Sequence, residues 1–385
     1  MSELYTDFLI DTLIGNEAAR QEAQWNLIAS ENICYEKARN ICASVLTNKY
    51  AEGTAEKRFY QGCSNVNQIE LLAIKRAKVL FGAEYANVQS HCGSSANLIM
   101  YLALLQKGDT ILSMDFSCGG HLSHGHPKNI SSQLFNFVHY GVDKNNHFID
   151  YNEVEYLLQK HKPKLLISGA SSYSQLIDYK IMYELAQKYN VYHMVDMAHI
   201  AGLVAAQVIP SPVPYADVVT STTHKTIRGP RGAFILAKKQ FAKKIDLATM
   251  PGIQGGPFMQ VIAAKAWLFE YAKTKDFINY QRKILDNCQL MIQIFKDYGI
   301  PIISNGSANH LFVVDVSQLN KTGQEVAALL EQNNIIVNKN MIPYDTQSPF
   351  VTSGIRIGTS WITAQNKTED EIKNKTLEMV KLIKK

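Results

Sequence analysis

The sequence of 385 residues is 46% hydrophobic and 19% charged, values that exclude wholesale disorder and point to two domains plus a terminal arm rather than one core. Its net charge of +5 is spread along the chain without a basic block, which argues against a nucleic-acid partner and only weakly favours an anionic substrate. Six cysteines with no CxxC pair suit free thiols in a reducing cytosol. The N-terminal M-S-E-L-Y-T-D carries acids where an export signal needs bases, and no apolar run nears the roughly 18 residues of a membrane span. A soluble cytoplasmic protein is expected.

Residues 1–28 read as an amphipathic helical arm, with Leu4, Phe8, Leu9 and Leu13 near helical spacing. After a helical patch comes T-N-K-Y-A-E-G-T-A-E-K-R-F-Y-Q-G-C (47–63), polar yet carrying Tyr50, Phe59 and Tyr60, the mark of a binding loop rather than a plain linker. From about residue 65, helices alternate with short apolar strands. Helical Gln68–Leu80 precedes Y-A-N-V-Q-S, Asn97–Leu105 precedes a strand at Thr110–Met114, and Tyr151–Lys160 precedes Lys164–Ser168. Lys180–Tyr189 then precedes Val191–Asp196, followed by strands at 217–223 and Gly232–Ala237. This alternation predicts an α/β fold with a mostly parallel sheet covered on both faces, whose ligands bind beyond the carboxyl ends of the strands. A long helical stretch at 258–298 leads to a smaller α+β part with strands near 309–316, 335–338 and Ile355–Ile357, and a terminal helix. The expected division is an arm and interface loop (1–60), a large domain (61–260), and a connecting helix with a small domain (261–385).

Four places carry chemistry. The first, D-V-V-T-S-T-T-H-K-T-I-R-G-P-R-G (217–232), is a buried strand that delivers His224 and Lys225 at its end. A lysine there either snorkels to the surface or serves as a Schiff-base amine. The second, S-H-C-G-S-S-A-N, sets Gly93, Ser94 and Ser95 ahead of an apolar helix, either as an ordinary cap or as a cradle for one phosphate. The third, V-Y-H-M-V-D-M-A-H, ends a strand on Asp196 with His199 beyond it; a buried carboxylate needs a cation, such as a protonated pyridine nitrogen, unless it only caps a turn. The fourth, Arg356 on the apolar strand T-S-G-I-R-I-G-T, suits a substrate carboxylate or a structural ion pair. His121, His124 and His126 lack a carboxylate or cysteine at matching spacing, so no metal is expected; one imidazole can stack on a flat ring, and the others read as loop residues. Each signal is modest, but together they list the parts of a pyridoxal phosphate (PLP) enzyme acting on an amino acid.

The sequence also resembles the serine hydroxymethyltransferase family over nearly its whole length. The likeness rests on L-I-A-S-E-N (27–32), L-T-N-K-Y-A-E-G (46–53), F-G-A-E-Y-A-N-V-Q (81–89), G-G-H-L-S-H-G (119–125), V-D-M-A-H-I-A-G-L-V-A-A (195–206), T-T-H-K-T (222–226), G-P-R-G (229–232), Q-G-G-P (254–257) and S-P-F-V-T-S-G-I-R-I-G-T (348–359). The resemblance implies a fold-type I PLP enzyme with a mostly parallel, seven-stranded sheet, acting as a homodimer or dimer of dimers with sites built across the interface. By position it implies that Lys225 bonds the cofactor aldehyde, Asp196 pairs with the pyridine nitrogen and His121 stacks on the ring. Gly93 and Ser94 would bind the phosphate, joined by Gly255 and Gly256 of a neighbouring subunit, with Ser171, His199 and Arg231 completing the cofactor set. Arg356 and Ser30 would hold the substrate carboxylate, while Tyr50, Glu52 and Tyr60 would arrive from the other subunit. Phe59, Phe116, Gly120, Leu122, Asn340, Ser348, Pro349 and Phe350 complete the substrate and folate positions, and His224 joins the catalytic set with Lys225, Asp196, Glu52 and Tyr50. Thr54-Ala55-Glu56 stands where the family has a Tyr-Pro-Gly turn, Phe59 replaces a tyrosine, Cys92 replaces a small hydroxyl residue, and Ser64, Asn65 and Asn67 lose an acid-aromatic-acid pattern; none of these removes a catalytic group. The implied reaction converts serine and tetrahydrofolate to glycine and methylene-tetrahydrofolate. Its rivals are a folate-independent aldolase of threonine-like β-hydroxy amino acids and a catalytically idle binding homologue.

Overall fold

Successive residues of a strand point to opposite faces, and the apolar runs of this chain bury both. Leu112, Leu166, Val195, Val219, Phe234 and Leu236 belong to one apolar cluster, whereas Ile111, Leu165, Ile167, Met194, Val218 and Ile235 belong to another. Between the two clusters lies a sheet of seven strands in the computed structural model, which describes residues 7–385. The strands are β1 (Tyr85–Asn87), β2 (Thr110–Met114), β3 (Asn136–Tyr140), β4 (Leu165–Ser168), β5 (Tyr192–Asp196), β6 (Val218–Thr222) and β7 (Ala233–Ala237). Their spatial order is β1-β7-β6-β5-β4-β2-β3; β7 runs antiparallel to both neighbours and the other pairs are parallel. The α/β expectation therefore holds. Strand β3, the aromatic N-F-V-H-Y at the sheet edge, has no counterpart in the sequence reading. Phe234 stacks on Phe81 and meets Phe269 edge-on, both at 5.2 Å; truncating a ring in such a core costs about 3–5 kcal/mol.

Helix α1 (Phe8–Ala23) is capped by Asp7, whose carboxylate accepts from the N–H groups of Leu9 and Ile10. Leu4 of the expected arm lies outside the described residues. The helix stops short of residue 28 because Trp25 and Asn26 pair in parallel with Ile335 and Ile336, and Leu27 enters the second core beside Phe295, Phe312 and Ile357. Phe8, Leu9 and Leu13 are exposed, and no residue of α1 is buried within the chain. Helices α2 (Ser64–Phe81) and α3 (Gly93–Leu104) flank the sheet.

The helical stretch at 258–298 is two helices, α4 (Met259–Tyr271) and α5 (Lys275–Asp297). The break falls where the hydroxyl of Thr274 accepts from the N–H of Phe277, capping a new helix start. The expected strand at 335–338 is likewise divided: Ile335–Ile336 pairs with Trp25–Asn26, while β9 (Asn338–Asn340) joins β8 (Leu311–Asp315) and β10 (Gly354–Gly358) in an antiparallel sheet with β10 central. No described helix is long and apolar enough to cross a membrane.

Candidate active site

The carboxyl ends of β2, β4, β5 and β6 open on one cavity of about 620 Å³, and residues of β9 and β10 complete its wall. The sequence-derived residues that line it are Ser30, Gly93, Ser94, Phe116, Gly120, His121, Leu122, Ser171, Asp196, His199, His224, Lys225, Arg231, Asn340, Pro349 and Arg356. Tyr50, Glu52, Phe59, Tyr60, Gly255, Gly256, Ser348 and Phe350 do not.

Lys225 follows β6 by three residues and is 8% exposed. Burial, opposed by the negative charge of Asp196 and reinforced by Arg356 and Arg231, lowers its pKa to about 8. Its carbonyl accepts from the Asn32 side chain at 2.8 Å and the Arg228 N–H at 2.9 Å, which fixes the backbone beneath the amine. His224 beside it is also desolvated, its pKa falls to about 3, and its Nδ1 has no hydrogen-bond partner among the described residues.

Asp196 ends β5, paired in register with Thr220 of β6. Its Oδ1 accepts from the Ala198 N–H at 3.0 Å; its Oδ2 accepts from Asn97 Nδ2 at 2.9 Å and lies 3.1 Å from His124 Nε2. Burial pushes the carboxyl pKa up, but the His124 hydrogen bond and the neighbouring positive charges prevail and hold it well below the usual carboxylate range. Asn97 is oriented in turn by the hydroxyl of Thr220, which donates to its Oδ1 at 2.7 Å. His124 is therefore not a loop residue, as its position in the sequence suggested, but a buried partner of Asp196. His121 lines the same cavity: its Nδ1 accepts from the Ser123 N–H at 3.1 Å, and burial lowers its pKa to about 4, so the imidazole is neutral. His199 lies 3.3 Å from His310, Nδ1 to Nε2, and burial drives its pKa well down.

At the start of α3, Ser95 is consumed locally: its hydroxyl accepts from the Cys92 N–H and donates to the Cys92 carbonyl. Gly93 and Ser94 are left to line the cavity at the first turn of the helix, a place where N–H groups and the helix dipole suit an anion such as phosphate. A Cβ at Gly93 would meet Thr222 Cγ2 at 2.8 Å, so glycine is what lets this turn sit against the end of β6.

Arg356, 8% exposed, donates from Nε to Asn338 Oδ1 at 2.9 Å and from Nη1 to the Ser171 carbonyl at 2.6 Å. Burial alone lowers its pKa, to about 10, with no anion acting against it. A guanidinium this desolvated with donors to spare is chemically suited to a carboxylate.

Tyr50, Glu52, Tyr60, Gly255 and Gly256 form a cluster of their own outside the cavity. Tyr50 and Tyr60 meet edge-on at 5.3 Å, and the charge of Glu52 raises the pKa of Tyr60. A Cβ at Gly255 would lie 2.9 Å from Glu52 Oε1, and one at Gly256 would lie 3.1 Å from Tyr50 Cε1. The supporting loop is a hairpin in which Gly53 pairs with Arg58 and Thr54 with Lys57, so Ala55-Glu56 makes a two-residue turn. Gly53 has φ +99, and a Cβ there would strike the Lys57 carbonyl at 2.2 Å. Arg58 locks the hairpin: it donates to the carbonyls of Ala51 and Gly53 at 2.7 Å and pairs with buried Glu70.

Sequence reasoning missed Asn97, Thr220 and Arg58, and it named His124 without its role beside Asp196. Asn97 left a signal, as a polar residue on the otherwise apolar face of α3; Arg58 left none, because its partner Glu70 lies on a different element.

The donor set fits PLP: a buried amine of lowered pKa, a carboxylate held anionic, a neutral imidazole and a phosphate-ready helix start line one cavity. Sheet and site together define a fold-type I PLP-dependent enzyme. The family model for serine hydroxymethyltransferase matches residues 4–379, and the chain belongs to that family. Its members are PLP-dependent glycine hydroxymethyltransferases that act on serine and glycine with tetrahydrofolate as co-substrate.

Only a neutral amine adds to an aldehyde, and the neutral fraction of Lys225 rises with pH through about 8. Loading of the apo-protein with PLP, followed by absorbance, should therefore accelerate over roughly pH 7 to 9 and then level off. A rate still climbing steeply at the 10.5 of an ordinary lysine would contradict the lowered pKa.

Proposed function

We propose that this chain catalyses the reversible transfer of the serine hydroxymethyl carbon to tetrahydrofolate, giving glycine, 5,10-methylenetetrahydrofolate and water. The observation that carries the reading is Arg356, a buried guanidinium without an anion in the same cavity as Lys225 and Asp196. Arg356, with Ser30, receives the serine carboxylate and so fixes the direction in which the hydroxymethyl group departs. When bound, PLP supplies an electron sink for the pair released as the Cα–Cβ bond breaks. Lys225 is the residue that would hold the cofactor, through its amine of lowered pKa. Asp196, held anionic by Asn97 and His124, keeps a proton on the pyridine nitrogen. Neutral His121 would pack on the cofactor without adding a charge, and Ser171 and His199 would help to hold it. Arg231 adds a cation to the Gly93 and Ser94 turn. Phe116, Gly120, Leu122, Asn340 and Pro349 supply the folate wall, with Ser348 and Phe350 in the adjoining loop.

Glu52 is assigned proton transfer at the hydroxymethyl oxygen or at folate, acting with Tyr50 and Tyr60 from a neighbouring subunit. The homodimer is supported by two observations: Tyr50, Glu52, Tyr60, Gly255 and Gly256 form one cluster apart from the cavity of their own chain, and α1 leaves Phe8, Leu9 and Leu13 exposed. Dimer pairing would bring that cluster to the partner's cavity.

Serine turnover with and without tetrahydrofolate tests the reading. Rapid glycine formation is expected only with folate, accompanied by methylene-tetrahydrofolate. An equal rate without folate, together with cleavage of threonine-like substrates, would assign the aldolase instead. A colourless preparation that rejects added PLP would point to the idle homologue.

A further inference from the structure

Lys265 of α4 is 1% exposed, and its ammonium donates to the carbonyls of Val88 at 2.7 Å, Ala233 at 2.6 Å and Ser90 at 3.2 Å. Those three bonds use every donor an ammonium has. None of the ion pairs among the described residues includes Lys265; Glu70 on α2 and Cys42 act on it only through space. Burial lowers the pKa of this amine to about 7, so keeping it charged without a touching anion is costly, and an apolar side chain would fill the same space more cheaply. The three carbonyls explain its presence. Val88 and Ser90 lie between β1 and α3, on the stretch that leads into Gly93 and Ser94, and Ala233 opens β7 directly after Arg231 and Gly232. Ser90 is shared, since its carbonyl also accepts from the Ala233 N–H at 3.1 Å.

A second anchor holds the same stretch. Gln254 donates from Nε2 to the Gln89 carbonyl at 3.0 Å and accepts at Oε1 from the His91 N–H at 3.0 Å. The ring of His91 stacks on Phe258 at 4.0 Å with planes 10° apart. The backbone from Val88 to His91 is thus held on both edges, and the first turn of α3 follows two residues later.

We propose that Lys265, seconded by Gln254, is a positioning residue that aims the first turn of α3 and the Arg231 loop at the cofactor's phosphate. Neither side chain lines the cavity, so each acts through the backbone it holds. Donors of this kind bind well only when aimed, and a shift of about 1 Å in their direction is enough to lose affinity. The inference rests on the PLP reading above.

The test uses pyridoxal, which keeps the aldehyde and the ring nitrogen but lacks the phosphate. Apo forms of the wild type, Lys265→Met and Gln254→Ala are titrated with PLP and with pyridoxal, and thermal unfolding verifies that each is folded. The expected result is a drop of about tenfold or more in PLP affinity for Lys265→Met, a smaller drop for Gln254→Ala, and pyridoxal affinity within about twofold of wild type. Equal losses for both ligands, or an unchanged ratio, would overturn the proposal. If Lys265→Met does not fold, Gln254→Ala decides alone by the same ratio. Failure of the PLP reading would look different: the wild type itself would then bind neither compound.

Discussion

Lys225→Ala is expected to fold and to retain PLP through its phosphate contacts, yet to lose serine turnover by about 10³-fold or more. Lys225 is the one amine in the cavity whose pKa burial brings down to about 8, so it is the group that can bond an aldehyde near neutral pH. Removal leaves the phosphate turn at Gly93 and Ser94 and the Asp196 carboxylate in place, which is why binding should outlast turnover. If Glu52 acts from the partner, co-expressing Lys225→Ala with Glu52→Gln should restore about one quarter of wild-type activity. Half of the dimers would be mixed, and each mixed dimer would hold one intact site. Turnover within tenfold of wild type for Lys225→Ala would end the PLP reading of this lysine. Full inactivity of the mixture would end the shared-site arrangement while leaving that reading intact.

Asp196→Asn should cost about 10³-fold to 10⁴-fold in turnover with a much smaller change in serine affinity. The substitution preserves size and keeps an oxygen for the Ala198 N–H, but it removes the charge that stabilises a protonated ring nitrogen. It also turns one end of the side chain into a donor facing Asn97 or His124, both of which are placed for an acceptor. The native carboxyl has a depressed pKa, so its stabilising contribution is complete above the ordinary aspartate range and fades as pH falls through the lowered value. Neutral pH therefore finds it ionised, and the defect of the Asn variant should be the same across the neutral range. A defect that disappears at one end of that range would mean that Asp196 works through its protonation rather than its charge.

Much of this site was readable because charged residues stood where the local pattern forbids them. Lys225 stands just past the strand V-V-T-S-T, Asp196 closes the strand Y-H-M-V-D and Arg356 interrupts G-I-R-I-G, and all three line the cavity. The sheet was legible for a related reason: strands buried on both faces read as short apolar runs, as with Leu165–Ser168 and Ala233–Ala237. Strand β3 was not, because its side chains are only partly covered at the sheet edge and its aromatics resemble those of a loop. The break between α4 and α5 turned on one threonine cap, a signal easily lost inside a long helical pattern.

Sequence alone determined the alternation of elements and marked Lys225, Asp196 and Arg356 as candidates, because a charge beside or within an apolar run conflicts with its immediate neighbours. Only the tertiary structure decided which groups tune them. His124 and Asn97 reach Asp196 from elements 72 and 99 residues away in the chain, and Lys265 reaches the stretch before the phosphate turn from 175 residues beyond it. It also decided that Tyr50, Glu52, Tyr60, Gly255 and Gly256 gather apart from the cavity. Hydrogen bonds and desolvation act over a few ångströms of space whatever the separation along the chain, so no local pattern in the sequence could announce them.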